Sequence, residues 1–297
     1  MEITQIRHFV RIAETGSYIK AADLLNIGQS TLSRQVRALE VELRASLFYR
    51  HGRGVLLTEA GKKFLEYARA VLHLMDSASI AVRDSESAFS GQLVIGMAPS
   101  IGRACIPMLV PKLAGLYPRA AISVVEGLSG ALYDAVLLGQ LDIALLYNPP
   151  ASPNIKITPI VAEPLYLIGA APVGADHGRV TLAAVAELPL ILPHGNHSVR
   201  VEVESAAARL GLGVNVTLQV DASYSTMELV AQGMGYSIMP RLMERRSGQP
   251  ALSWQKIENP ALETTLCMVL PSQQPSNPLV AAAAEVMRTS LAELLVE

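Results

Sequence analysis

Through the first 90 residues, apolar side chains recur at intervals of three and four; beyond them they come in short strand-like runs alternating with helical ones. An all-helical segment followed by alternating strands and helices reads as two separately folded parts. The length of 297 residues agrees, since a single core seldom grows past about 250 to 300 residues. Between the parts, Ser85-Glu86-Ser87-Ala88-Phe89-Ser90-Gly91 is small and polar, as linkers are. The expected layout is a head over 1–58, a linker helix and hinge over 59–90, and a body over 91–297.

In the head, Ile6, Phe9, Val10 and Ala13 mark a first helix, which Gly16-Ser17 interrupts. Ser17 can cap a second helix holding Ala21, Ala22, Leu24 and Leu25. Asn26-Ile27-Gly28 is a tight turn into a third helix, with Ser30 as its expected cap and Leu32, Val36, Leu39 and Leu43 on one face. Two helices joined in this way form a helix-turn-helix. The other face of the third helix carries Gln29, Ser30, Thr31, Ser33, Arg34 and Arg37. Short hydrogen-bonding groups and guanidinium forks are the side chains that reach base edges and phosphates from a major groove. Arg50-His51-Gly52-Arg53-Gly54 followed by Val55-Leu56-Leu57 reads as a hairpin, or wing, whose Arg50 and Arg53 suit phosphate or a narrow minor groove. Any surface helix shows a polar face, so charge has to discriminate. The chain's net charge is −2, but residues 1–90 hold 12 Lys/Arg against 10 Asp/Glu, and 29–69 hold 8 against 4. The body holds 12 against 16. Positive charge is therefore focused on the segment with the DNA-reading pattern.

A long helix is expected from about Thr58 to Ala88, roughly 45 Å at ~1.5 Å per residue. Phe64, Ala68, Val71, Met75, Ala78 and Val82 alternate by four and three along it. That is an a/d seam, which favours pairing with a second copy; packing on its own domain is the other reading.

The body alternates strand and helix, which implies a parallel, α/β-type sheet. Three loops lie where a strand feeds a helix, the place where free N–H groups favour anions. They are Pro99-Ser100-Ile101-Gly102, Gly127-Leu128-Ser129-Gly130, and Pro193 through His197, Ser198 and Arg200. Arg200 could pair with a ligand carboxylate; the serines could equally be plain helix caps, and His197 a solvated loop residue. No catalytic constellation is present: the histidines show no metal spacing, and no phosphate loop or nucleophile elbow occurs. Cys105 and Cys267 match no zinc or redox spacing and read as buried thiols of a reducing compartment. No apolar run reaches the ~18 residues of a membrane span, and the start lacks a secretion signal. The expected location is cytoplasmic.

These residues carry a resemblance. Residues 1–61 resemble the winged helix-turn-helix of LysR-type transcriptional regulators, through the run Ile6 to Ser17, Ala21-Ala22-Asp23-Leu24-Leu25, Gln29 to Glu40, Leu47-Phe48-Tyr49-Arg50 and Leu57-Thr58-Glu59-Ala60-Gly61. Ser90 to Pro99 more loosely resembles the nitrogen-assimilation branch. Thr31 stands where the family often has Pro or Ala, and Tyr18-Ile19 where it has Phe then a hydroxyl residue; Ile19 removes one hydroxyl–phosphate contact. The resemblance implies an overall α/β fold: a winged helix-turn-helix, a linker helix, and a type 2 periplasmic-binding-protein-like effector domain. Lobe I would span about 91–161 and 266–297, and lobe II about 162–265, with chain crossings near Ile160–Ala162 and Thr264–Leu266. It implies Gln29 and Arg34 on base edges, and Ser30, Ser33 and Arg37 on phosphates. It implies a small-molecule effector at Ser100, Ile101, Ser129, His197 and Ser198, with Gly102, Tyr147 and Ser223 nearby. The implied partners are double-stranded DNA, an effector, a second copy or a tetramer, and RNA polymerase. No cofactor, metal, membrane or catalysis is expected. Two rival readings stand: a solute-binding module whose head only oligomerises, and a constitutive DNA binder with a vestigial cleft.

Overall fold

In the computed structural model, the described residues are 1–51, 54–83, 89–176, 178–195, 197–243, 252–272 and 277–296. The chain divides into two compact units, Met1–Gly91 with Leu137–Gln140, and Gln92–Val136 with Leu141–Glu297.

The first unit opens with α1 (Ile3–Thr15), α2 (Tyr18–Leu25) and α3 (Gln29–Leu43). Gly16, in the left-handed region at φ 63°, ends α1, and the Ser17 hydroxyl accepts from Lys20 N at 3.4 Å to start α2. Ser30 does not cap α3. Gly28 is the cap, its extended backbone (φ −66°, ψ 135°) placing Gln29 as the first helical residue and Ser30 inside the first turn. The apolar faces of the three helices converge on a core that fully buries Phe9, Ile12, Leu32, Val36 and Leu39. A two-stranded antiparallel wing follows, β1 (Phe48–His51) with β2 (Gly54–Leu57). At Gly54 φ is 151°, and a Cβ there would sit 2.6 Å from the Gly16 carbonyl oxygen. Glycine alone lets the wing approach closely enough for Val55 N to donate to that oxygen at 3.0 Å.

Helix α4 (Glu59–Arg83) has 25 described residues, about 38 Å of helix; residues 84–88 of the expected helix lie outside the described residues. Thr58 sets its start. The hydroxyl donates to the Ser46 carbonyl at 2.6 Å and accepts from Gly61 N at 2.9 Å. The expected apolar seam does not form a single outward face. Phe64 packs edge-on against Phe9 at 5.0 Å between centroids, and Ala68 is 1% exposed within the head core. Met75 is half-buried, while Val71 and Ala78 face solvent; the side chain of Val82 lies outside the described residues. The core captures the first three turns because Phe9 and Phe48 present a ring surface that a third aromatic completes.

The second unit runs β3 (Gly91–Met97), α5 (Pro99–Leu116), β4 (Ala120–Glu126), α6 (Ser129–Leu137), β5 (Ile143–Tyr147), β6 (Ile155–Gly169), β7 (Arg179–Thr181), α7 (Leu182–Ala186), β8 (Leu190–Leu192), α8 (Ser198–Arg209), β9 (Val216–Gln219), α9 (Ser223–Ala231), β10 (Ser237–Pro240), a 3-10 turn at Arg241–Met243, β11 (Ser253–Glu258), β12 (Glu263–Pro271) and α10 (Pro278–Val296). Strand order is β4-β3-β5-β12-β6-β11-β7, with β10 also on β6 and a separate parallel pair β8-β9. Long strands β6 and β12 belong to both lobes and pair antiparallel, Thr265 with Ala162 and Leu266 with Val161, beside a register shift at Leu266/Cys267. Each side of this crossing has its own apolar core, around Leu93, Ile95 and Leu145 in one lobe and Leu165, Leu190 and Ile257 in the other. Next to the crossing, Asn148 clamps β12: its N donates to the Thr265 carbonyl at 3.0 Å and its Oδ1 accepts from Thr265 N at 2.8 Å.

Candidate functional site

The starts of four helices in the second unit border one cleft between the lobes: α5 at Ala98 and Ser100, α6 at Ser129, α8 at His197 and Ser198, and α9 at Ser223 and Thr226. Each start leaves backbone N–H groups without helical partners, a setting favourable to an anionic or strongly polar group. The space between the walls is about 560 Å³ when the open mouth is counted, of which about 40 Å³ is cavity proper, so the cleft is narrow in this conformation. Val220, Ile238, Met239 and Pro240 form an apolar wall, so a ligand here meets hydroxyls on one side and hydrocarbon on the other.

Tyr147 closes the floor. Its hydroxyl donates to Glu163 Oε1 at 2.8 Å, and Glu163 Oε2 accepts from Leu242 N at 3.1 Å. Burial, reinforced by the Glu163 carboxylate, pushes the Tyr147 phenol well above its ordinary pKa, so it remains protonated. Glu163 thereby ties the cleft floor to the turn after β10, whose Leu242 packs in the lobe I core.

On the rim, Asp221 accepts from His194 N at 2.9 Å and meets His194 Nδ1 at 2.9 Å. These hydrogen bonds, backbone first, hold the Asp221 carboxyl below its usual range. His197 caps α8, its Nδ1 accepting from Val199 N at 3.3 Å. Burial lowers its pKa, against the opposing pull of Asp221. The imidazole is thus neutral at neutral pH, and among the described residues no Lys or Arg lines the cleft.

Of the residues expected at the effector site, Ser100, Ser129, Tyr147, His197, Ser198 and Ser223 line this cleft. Three do not. Ile101 is fully buried in the lobe I core, because it sits on the inward face of α5. Gly102 is also buried, and a Cβ there would meet Glu126 Oε1 at 2.5 Å; the glycine serves close packing. Arg200 is spent internally, donating through Nε to Glu204 at 2.7 Å and through Nη1 to the Pro193 carbonyl at 2.9 Å. Sequence reasoning missed Asp221, Thr226 and the β10 wall. A strand running into a helix start at Val220–Ser223 was the available signal, the same one used for the other three loops.

In the first unit, Gln29, Ser30, Thr31, Arg34 and Arg37 are exposed along α3 and Ser33 is half-buried, on the side opposite Leu32, Val36 and Leu39. Arg50 lies in β1, its side chain outside the described part, and Arg53 lies outside the described residues altogether. A face of this composition on the second helix of a helix-turn-helix is what groove reading requires.

Comparisons with known proteins agree with both halves. Residues 3–62 match the model of the bacterial regulatory helix-turn-helix protein, lysR family, and residues 86–292 match the LysR substrate binding domain. The chain belongs to the LysR family. It is 32% identical to the nitrogen assimilation regulatory protein nac of Klebsiella aerogenes, over 97% of this chain and 94% of that protein. It is 29% identical to the nac protein of Escherichia coli K12, over 100% and 97%. Among solved structures, full-length CbnR complexed with its target DNA superposes with a TM-score of 0.71 at 25% identity, covering 98% of this chain and 100% of that one. This LysR-family chain is a DNA-binding transcriptional regulator with a substrate-binding body. Among the described residues no helix is long and apolar enough to cross a membrane, and no cluster of three metal-ligating side chains occurs.

Proposed function

We propose that this LysR-family regulator binds a two-fold related promoter site through α3 and the wing, and that a small molecule in the interlobe cleft modulates that binding. One observation carries the reading: a chain whose head presents Gln29, Arg34 and Arg37 outward also builds a cleft from four helix starts. A ligand can act only through unequal affinity for two states. The crossing strands β6 and β12, with Asn148 and Glu163 beside them, give the lobes one shared hinge to bias. Within this reading Gln29 and Arg34 read base edges, while Ser30, Thr31, Ser33 and Arg37 position the helix on phosphates, with Arg50 and Arg53 on the wing. The domains follow as 1–58, 59–90 and 91–297, and the protein works in the cytoplasm as a dimer or a pair of dimers, with RNA polymerase as a further partner. Similarity to nac supports promoters linked to nitrogen metabolism. The effector is neutral or singly anionic, since among the described residues no cationic side chain lines the cleft.

Several solved structures of similar fold are OxyR proteins, one of them H2O2-bound. A thiol-based peroxide response does not suit this chain. Cys105 and Cys267 are both buried, and burial pushes the Cys267 thiol up, away from the reactive thiolate.

Footprinting a labelled promoter while titrating candidate metabolites tests the proposal. Protection of a two-fold site that shifts with one metabolite supports it. Protection indifferent to every cleft-binding metabolite makes the chain a constitutive binder, and absence of salt-sensitive specific binding removes the DNA reading.

A further inference from the structure

Away from the cleft, lobe II carries a groove whose composition differs from that of any other surface described above. Paired strand residues share a sheet face, so the register can be read directly. Lys256 of β11 pairs with Tyr166 of β6 on one side and Arg179 of β7 on the other. Trp254, two residues from Lys256, joins the same face, and its indole meets the Tyr166 ring edge-on at 6.3 Å. Arg241, just past β10, sets its guanidinium 5.5 Å from the Tyr166 ring centroid. Leu252 completes a groove of about 740 Å³ including its mouth. Three cations from three different elements thus flank two half-buried rings.

This arrangement costs stability on its own. Lys256 and Arg179 are like charges at paired positions, which repel. Glu258 reaches Arg179 at 3.4 Å, but an exposed pair of this kind contributes little. The body around the groove is net acidic, with 12 basic against 16 acidic residues over 91–297, so the cluster is not a general surface bias. A flat ring can stack on indole or phenol, and an anionic group can meet Lys256 and Arg179, whose like charges face each other. We propose that this groove is a second small-molecule site, separate from the cleft, for a planar ring that bears an anionic group.

The chain holds a single tryptophan, Trp254, so intrinsic indole fluorescence reports this groove. Full-length protein is titrated with adenosine monophosphate and phenylacetate, which join a ring to a phosphate or a carboxylate. Adenosine and inorganic phosphate supply ring and anion apart. The expected result is a saturable change in Trp254 emission with at least one ring-bearing anion, at about tenfold lower concentration than with adenosine or phosphate. Which of the two acts distinguishes a phosphate-bearing from a carboxylate-bearing ligand. Lys256→Gln weakens that response about tenfold and Lys256→Arg restores it, whereas Ser223→Leu, placed in the cleft, leaves it unchanged. Circular dichroism confirms that each variant is folded. No saturable response to either ring-bearing anion overturns the proposal. So does a response that survives Lys256→Gln, or one abolished by Ser223→Leu, which would place the ligand in the cleft.

Discussion

His197 has two duties that pull on one nitrogen. Its Nδ1 accepts from Val199 N to start α8, and burial keeps the ring neutral. A histidine whose folded pKa lies below its unfolded value, about 6.5, binds fewer protons folded than unfolded as pH falls. Stability should therefore decline on acidification from about pH 6.5 and level off below the folded pKa. Asp221 opposes the shift without reversing it. In His197→Asn the side-chain oxygen keeps the cap while the titration is lost. Denaturant unfolding at pH 7 and pH 5.5 should show a smaller difference for this variant than for the parent; an equal difference would remove His197 from the account. Gly61 makes a second argument at one position. An added Cβ would sit 2.0 Å from the Leu47 carbonyl oxygen, so Gly61→Ala must displace α4 or the wing. A loss of about 2 kcal/mol or more is expected in thermal unfolding, with a less cooperative head. That clash is the physical content of Thr58-Glu59-Ala60-Gly61: a capping hydroxyl followed three residues later by the one side chain that fits.

Helix α4 shows how a correct period can be assigned to the wrong face. Its apolar residues support two interleaved stripes, and the head takes one of them through Phe64 and Ala68. The stripe left outward is Tyr67, Val71, Leu74 and Ala78, with Tyr67 59%, Val71 38% and Leu74 48% exposed. It advances by four, three and four, a heptad seam shifted from the expected one. If two chains pair here, Leu74→Glu should halve the mass seen by sedimentation while leaving helix content intact. Ala68→Glu should instead unfold the head, because it places a charge in a filled core. Helix α3 was legible in its burial pattern though not in its cap: Leu32, Val36 and Leu39 define the buried side and leave Gln29, Arg34 and Arg37 exposed, while Gly28 and not Ser30 caps it. On it, Arg34→Ala should cost roughly 1–3 kcal/mol against the preferred site and relax sequence preference at one base; unchanged preference in a selection experiment would refute base reading.

For the molecule as a whole, a net charge of −2 conceals a basic head and an acidic body. DNA affinity should accordingly fall steeply with salt, and Arg37→Ala should reduce the log–log salt slope by about one while lowering affinity for all sequences alike. A binding isotherm series in rising salt would read both. The two-part plan, the helix-turn-helix, the strand–helix alternation of the body and three of the four cleft loops were legible in the sequence. Each depends on neighbours a few residues apart: a cap, a turn glycine, a period. Ile101, Gly102 and Arg200 were misplaced because loop membership does not say which way a side chain points; the core, Glu126 and Glu204 claim them. Asp221 was missed although a strand running into a helix start marked its loop, while the β10 wall and the Lys256–Tyr166–Arg179 row were invisible because they join residues tens of positions apart through strand register. Local spacing and charge thus point to a DNA-binding head and a substrate-binding body, which the family match establishes. Which stripe of α4 stays free, which serines meet a ligand and where three cations gather are decided only by packing, since burial and register are properties of contacts between distant segments.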